Sequence, residues 1–443
     1  MTRPKFAIAS LSLGTNTHHT LPTKIRVASE LEYDGIEIFM PDFEVFVEEV
    51  RKGGHKEIFS MKVKEEGLET LSQDQLEHRC AEALYDLCAQ HNLQIPLLQP
   101  LRDFENFASE EELSTALEGA ERWFRLMQPM HCDLVLVCSN YVPSLVQKKI
   151  DVDAYLDRQV EAFKRLGELA ERYNVRVGYE PLAWGTVVDN WEPVWDVVKR
   201  VDRSNVGVVL DSFNTLGNQY ADPGESSCVR RDMTLQFILE NLEKMCEMIP
   251  AEKVFFYQIA DAVRPKEVCV DDLTQGMPKR MKWSRACRVF PCEPSSPSTT
   301  VSSSSSPDSE TYLGFLPVPQ MTSLIHHKLG YRGWWSLEVF NTSLQEPDEE
   351  CTWRHGKRGI RGLEKLWDVV NVANTDPKED RGQISAEQES ESGSNSDSSR
   401  STSTPSTPNG SDIDVGLDIS PKVTSSGKIH AMFRSAFRRI LRL

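Results

Sequence analysis

The sequence predicts an α/β chain folded as a (β/α)8, or TIM, barrel, with a Ser-rich loop insertion and a disordered C-terminal tail. Three observations lead there. Short apolar runs alternate eight times with amphipathic segments between residues 5 and 372, the pattern of a parallel sheet with helices outside. Four of the runs (VRVGYE, VGVVLD, VFFYQI and WWSLEVF) place one oxygen-bearing side chain at or near their C-terminal end: Glu180, Asp211, Gln258 and Glu338. No glycine-rich phosphate turn follows the first run, which counts against an open doubly wound sheet. A barrel of this kind takes about 250 residues, more with insertions, so residues 1–373 hold one if the long loops are insertions.

In chain order, residues 5–13 have a buried-strand pattern. Residues 21–33 have helical spacing, with Thr20 as N-cap and Pro22 in the first turn, where proline is tolerated. GIEIF, residues 35–39, is a second strand, followed by a charged segment and a helix near 75–91. Residues 94–98 read as the third strand and 110–129 as a helix. DLVLVC, residues 133–138, is a strand, and 152–173 a long amphipathic helix. The strand ending at Glu180 precedes a helix at about 191–201. The strand ending at Asp211 precedes a helix at 231–248. Residues 254–259 form the seventh strand, 319–329 a helix, 333–340 the eighth strand and 354–370 the last helix.

Two segments fall outside this plan. A Ser/Pro run at about residues 293–311 sits in the loop after the seventh strand and is too polar to fold by burial. Residues 374–427 are acidic and Ser/Thr-rich, again expected to be disordered and open to phosphorylation. Residues 428–443 differ. Ile429, Met432, Phe433, Ala436, Phe437 and Ile440 share one helical face, and Arg434, Arg438 and Arg442 lie on another. Such a basic amphipathic helix suits a membrane surface or a protein partner.

A net charge of −17 makes nucleic acid a poor partner. The ten cysteines form no CxxC pair, which reads as reduced, packed thiols in a cytoplasmic protein. The apolar run at the N-terminus is too short for a signal peptide or membrane span.

If the four strand ends are neighbours, three carboxylates and an amide oxygen converge at the face where barrels do their chemistry. An all-oxygen set points to a hard divalent cation, Mg2+ or Mn2+; zinc more often recruits His or Cys. Without a cation the carboxylates would repel and hold protons to higher pH. Arg102, in LQPLRDFE, and Arg285 and Arg288, in KWSRACRVFPCE, lie in loops at the same face. Arginine is the usual bidentate partner of a carboxylate, so the three are candidates for binding an anionic substrate. His18 and His19 follow the first strand; either suits a general base.

At these residues the sequence resembles the fungal 3-dehydroshikimate dehydratases of the xylose isomerase-like, sugar phosphate isomerase/epimerase TIM-barrel superfamily. The matching pieces are IASLSLG, YDGIEIF, LQPLRDFE, VGYEPLAWG, VDRSNVGVVLDSFNTLG, YQIADA, WSRACRVFPCE and RGWWSLEVFN. The resemblance implies a divalent metal bound by Glu180, Asp211, Gln258 and Glu338, and loss of water from 3-dehydroshikimate to give protocatechuate, a step of quinate and shikimate catabolism. The metal would polarise the ring ketone and stabilise an enolate, and the arginines would hold the ring carboxylate.

One position departs from the family. A histidine is expected three residues after the tryptophan of the Trp-Gly pair, and the chain has Val187 there. Valine cannot move a proton; if that histidine is the base or its orienter, the protein needs a substitute, such as His19, or is slow or inactive. Alternatives are an isomerase or epimerase of a keto sugar or cyclitol, which would use the same ligands, and a non-catalytic regulatory homologue.

Overall fold

The computed structural model describes residues 2–59, 68–146, 150–272, 274–295 and 312–372. Most of the Ser-rich insertion, the acidic tail and the basic helix expected at 428–443 lie outside the described residues.

Eight strands close a parallel barrel: Phe6–Ala9, Gly35–Phe39, Leu98–Leu101, Leu134–Cys138, Arg176–Glu180, Val206–Asp211, Val254–Ile259 and Trp335–Leu337. The eighth strand closes the ring, pairing Trp335 with Phe6 on one side and with Tyr257 on the other. Nearly every strand residue is buried, which explains why the runs are almost continuously apolar.

Side chains alternate across each strand, and this alternation builds the site. Toward the closed end of the interior, Leu134, Leu136, Val209 and Phe256 form an apolar cluster of their own. Two residues further along, Asp211 and Gln258 project from the same faces as Val209 and Phe256 and stand in register on adjacent strands. Gly178 shares the face of Glu180, and a Cβ there would meet Val209 at 2.5 Å. The floor is therefore hydrocarbon and the rim is oxygen.

The helices start where the sequence provides caps. Thr20 accepts from the backbone N–H of Thr23, Asp151 from Ala154 and Asn190 from Glu192, each satisfying an N–H with no partner inside its helix.

Several boundaries differ from expectation. The third strand is Leu98–Leu101, later than residues 94–98: Gln94 makes only an isolated bridge to Gly35, and the continuous pairing with the second strand starts at Leu98, opposite Ile38. The first strand stops at Ala9 and turns into a 3-10 helix, Ser10–Leu13. The charged segment after the second strand is a helix, Met40–Arg51. Asp211 caps a short helix, Ser212–Gln219, and Arg285 lies in another, Lys279–Cys287. After the seventh strand, Asp261–Ala262 pairs antiparallel with Arg288–Val289, bringing Arg288 opposite Ala262. This small ribbon delivers Arg288 to the rim.

None of the ten cysteines is in a disulfide. Among the described residues no helix is long and apolar enough to cross a membrane.

Candidate functional site

The rim brings together all four side chains singled out at the strand ends. Ligand atoms of Glu180, Asp211 and Glu338 lie within 4.8 Å of one another, and all three side chains are buried. Gln258 is fully buried beside them, its Nε2 2.8 Å from Glu37 Oε2 and 3.4 Å from Glu338 Oε1. Its Oε1 has no hydrogen-bond partner.

Each carboxylate is held by its surroundings. Asp211 Oδ1 accepts from the Asn214 backbone N–H at 2.7 Å as the cap of its own helix. Glu180 Oε1 accepts from Asn214 Nδ2 at 2.9 Å. Asn214 Oδ1 in turn accepts from the Ala183 N–H at 3.1 Å, so one residue ties the fifth-strand loop to the sixth-strand helix. Glu338 Oε1 accepts from Gln99 Nε2 at 2.9 Å.

Arg288, foreseen as a loop arginine for substrate, lies inside this cluster. Its Nη1 is 2.8 Å from Asp211 Oδ2, 3.1 Å from Glu338 Oε2 and 3.0 Å from the Glu338 carbonyl, and its Nε donates to Ser284 at 3.0 Å. The guanidinium also sits over the rings of Phe213 and Phe340. One positive charge thus faces three carboxyl groups. Burial, then the charges of Glu338 and Asp211, push Glu180 well above the usual carboxylate range, against the pull of Arg288. Burial raises Glu338 to about 7, again opposed by Arg288.

The residues present fit a divalent cation. The donor set is oxygen throughout, which suits a hard cation. The surplus negative charge is buried, and the Gln258 amide oxygen is a buried acceptor without a partner, a state few native groups keep. A cation among these atoms would answer both.

The other candidates are Arg102, Arg285 and His19. Arg102 and Arg285 are half-buried. Burial and the charge of Arg102 lower Arg285 to about 10. Among the described residues Arg102 makes no hydrogen bond or ion pair. Two neighbouring guanidiniums that repel one another form a place where an anion is welcome.

His19 is 5% exposed, against 0% to 5% for the four ligand candidates. Its Nε2 is 2.9 Å from the Glu346 carbonyl, so Nε2 carries the proton and Nδ1 keeps a lone pair. Burial lowers its pKa, so the ring is neutral near pH 7. Gly14 makes room for it: a Cβ there would lie 2.3 Å from the His19 ring, and its φ is +124°. His18 is exposed. Val187 packs partly buried against the main apolar core.

Sequence reasoning missed Glu37, Gln99 and Asn214. Glu37 is fully buried in the second strand and bonded to Gln99, Gln258 and Ser336, and burial raises it to about 8. A single charge in GIEIF, a run otherwise destined for burial, was the available signal. Glu105, in the loop after the third strand, is also buried. It accepts from the hydroxyls of Tyr155 and Tyr179 and from the Asn140 N–H, joining that loop to the next.

An eight-stranded parallel barrel with a hard-cation donor set at its C-terminal rim defines the class. The chain belongs to the family described as xylose isomerase-like TIM barrel, which residues 25–363 match. The resemblance to fungal 3-dehydroshikimate dehydratases is borne out. A 3-dehydroshikimate dehydratase of Neurospora crassa is 28% identical over 388 residues, covering 86% of this chain and 99% of the relative. One from Pseudomonas aeruginosa is 31% identical over 364 residues, covering 81% of this chain; the chain spans 42% of that relative's length. Among solved structures, a xylose isomerase-like TIM barrel/4-hydroxyphenylpyruvate dioxygenase fusion protein superposes with a TM-score of 0.55 at 27% identity, over 85% of this chain and 46% of its own.

Proposed function

We propose that the protein is a metal-dependent 3-dehydroshikimate dehydratase, a hydro-lyase that removes water from a cyclic keto-carboxylate to give protocatechuate. The observation that carries this reading is the convergence of Glu180, Asp211 and Glu338 within 4.8 Å of one another, with Gln258 beside Glu338 and its Oε1 buried without a partner. The names of the relatives supply the substrate.

Glu180, Asp211, Gln258 and Glu338 would hold Mg2+ or Mn2+. A divalent cation bound there supplies Lewis-acid polarisation of the ring ketone, acidifying the adjacent carbon. Arg102 and Arg285 grip the ring carboxylate and fix the orientation of the ring. Arg288 Nη1 is committed to Asp211 and Glu338, so its part is to balance charge at the rim rather than to hold the substrate carboxylate. His19 takes the proton from the carbon between the ketone and the leaving hydroxyl, through Nδ1. The hydroxyl departs with a proton as water. A further proton shift from the ring methylene to the ketone oxygen completes the aromatic ring, and no oxidant is consumed. The reduced cysteines and the acidic charge favour a cytoplasmic setting without nucleic-acid partners.

The test is direct: supply 3-dehydroshikimate with Mn2+ or Mg2+ and follow catechol absorbance in the ultraviolet. Turnover that disappears on chelation and returns with metal is expected. A metal-loaded sample that yields no catechol overturns the dehydratase reading and favours a keto-sugar or cyclitol isomerase using the same ligands.

A further inference from the structure

We infer that Glu37 is a positioning residue for the metal centre, holding the Gln258 side chain with its amide oxygen turned toward the cation. The inference rests on Gln258 being a ligand, as proposed above.

A glutamine can present either end of its amide. The two ends differ by an ångström or less in reach but are opposite in polarity, and only the oxygen can bind a cation. Something must therefore break the symmetry, and the structure contains it. Glu37 Oε2 receives Nε2 of Gln258 at 2.8 Å and Nε2 of Gln99 at 3.1 Å. Turning Gln258 over would set its amide oxygen against a carboxyl oxygen and forfeit a buried hydrogen bond. With Nε2 engaged, Oε1 is the end that remains, and it is buried with no partner.

The arrangement works whether Glu37 is charged or neutral. Its other oxygen, Oε1, meets the hydroxyl of Ser336, which can donate or accept. Oε2 therefore serves as the acceptor for both amides in either state. Gln99 extends the same row, since its Nε2 also reaches Glu338 Oε1 at 2.9 Å. Glu37 sits on the second strand, and its neighbours Gln258 and Ser336 stand in register on the seventh and eighth. The contact thus crosses the barrel interior and locks a ligand from the side opposite its own loop. Outer-row partners of this kind orient metal ligands in many sites, and their loss weakens metal binding about 10- to 100-fold.

The experiment measures Mn2+ binding calorimetrically on metal-stripped full-length protein, as wild type, Glu37→Gln and Glu37→Leu, with thermal unfolding of each metal-free form. Glutamine retains an acceptor for the two amides and can donate to Ser336; leucine keeps the volume and removes the acceptor. Glu37→Leu is expected to lose about 10- to 100-fold in Mn2+ affinity, while Glu37→Gln stays close to wild type. If the leucine variant does not fold, Glu37→Asp takes its place, withdrawing both oxygens by one methylene, and weaker binding is again expected. Wild-type affinity in the leucine or aspartate variant overturns the inference. So does a glutamine variant as weak as leucine, which would mean that charge rather than amide orientation matters. A wild-type protein that takes up no Mn2+ sinks the metal-centre reading and this inference with it, whereas binding that is normal in every variant sinks only the role of Glu37.

Discussion

Arg288 Nη1 stands 2.8 Å from Asp211 Oδ2 inside the rim, with both side chains buried. The same nitrogen is 3.1 Å from Glu338 Oε2. This places a resident cation among carboxylates that would otherwise crowd negative charge into a water-poor site. Removing one member of a buried ion pair typically costs about 3 to 5 kcal/mol, because the partner is left uncompensated. Arg288→Gln should lose stability of that order in the metal-free protein, measured by urea unfolding with a chelator present. Millimolar Mn2+ should recover part of the loss, since a ligand that binds only the native state stabilises it. An Arg288→Gln protein as stable as wild type without metal would show that the carboxyls are simply protonated and need no counter-charge.

Arg102 and Arg285 are the cations proposed to hold the substrate carboxylate. A hydrogen bond to a charged group contributes about 1.5 to 3 kcal/mol, so Arg102→Ala and Arg285→Ala should each lower kcat/KM for 3-dehydroshikimate by roughly 10- to 100-fold. Mn2+ affinity should not change in either. Arg102→Lys should recover only part of the loss, because an ammonium cannot form the planar two-bond contact. Steady-state kinetics beside calorimetry separates these effects, and equal loss of metal binding would move the arginines into the metal centre.

Glu105 makes a pH prediction. Burial raises its carboxyl from 4.5 to about 7, partly offset by bonds from Tyr179, Asn140 and Tyr155. A raised acid pKa means that the native state keeps a proton the unfolded chain has released. Its contribution is therefore greatest below pH 4.5 and is lost as pH rises through about 7. The full effect is on the order of 3 kcal/mol. Glu105→Gln should flatten the fall in stability between pH 5 and about 7.5 seen by chemical denaturation. An unchanged slope would mean that Glu105 is ionised in the native protein.

His19 is the proposed base. His19→Gln keeps a group able to bond Glu346 but has no titratable nitrogen, so kcat should drop by about 10²- to 10⁴-fold with Mn2+ affinity intact. If His19 is the base, Val187→His should add little. A large gain from Val187→His, in wild type or in the His19→Gln background, would transfer the role to position 187.

Much of this was legible in the sequence. The alternation of buried runs and amphipathic segments defined the barrel, because strands covered on both faces must be apolar throughout and helices on one face only. Glu180, Asp211, Gln258 and Glu338 were readable for the same reason: a polar side chain at the end of a buried run has few places to go but the rim. The third strand was misplaced because apolar composition alone cannot say which of two adjacent segments wins the pairing.

Tertiary structure decided what each side chain faces. Glu37 gave only a lone charge in GIEIF, and its contacts with Gln99, Gln258 and Ser336 span 62, 221 and 299 residues of chain. Arg288 looked like a substrate-facing loop residue until the pairing of Asp261–Ala262 with Arg288–Val289 carried it inside. Periodicity reports whether a residue is covered, because covering depends on its own strand or helix. It cannot report the partner, because partners are chosen by barrel closure, which joins strands from opposite ends of the chain.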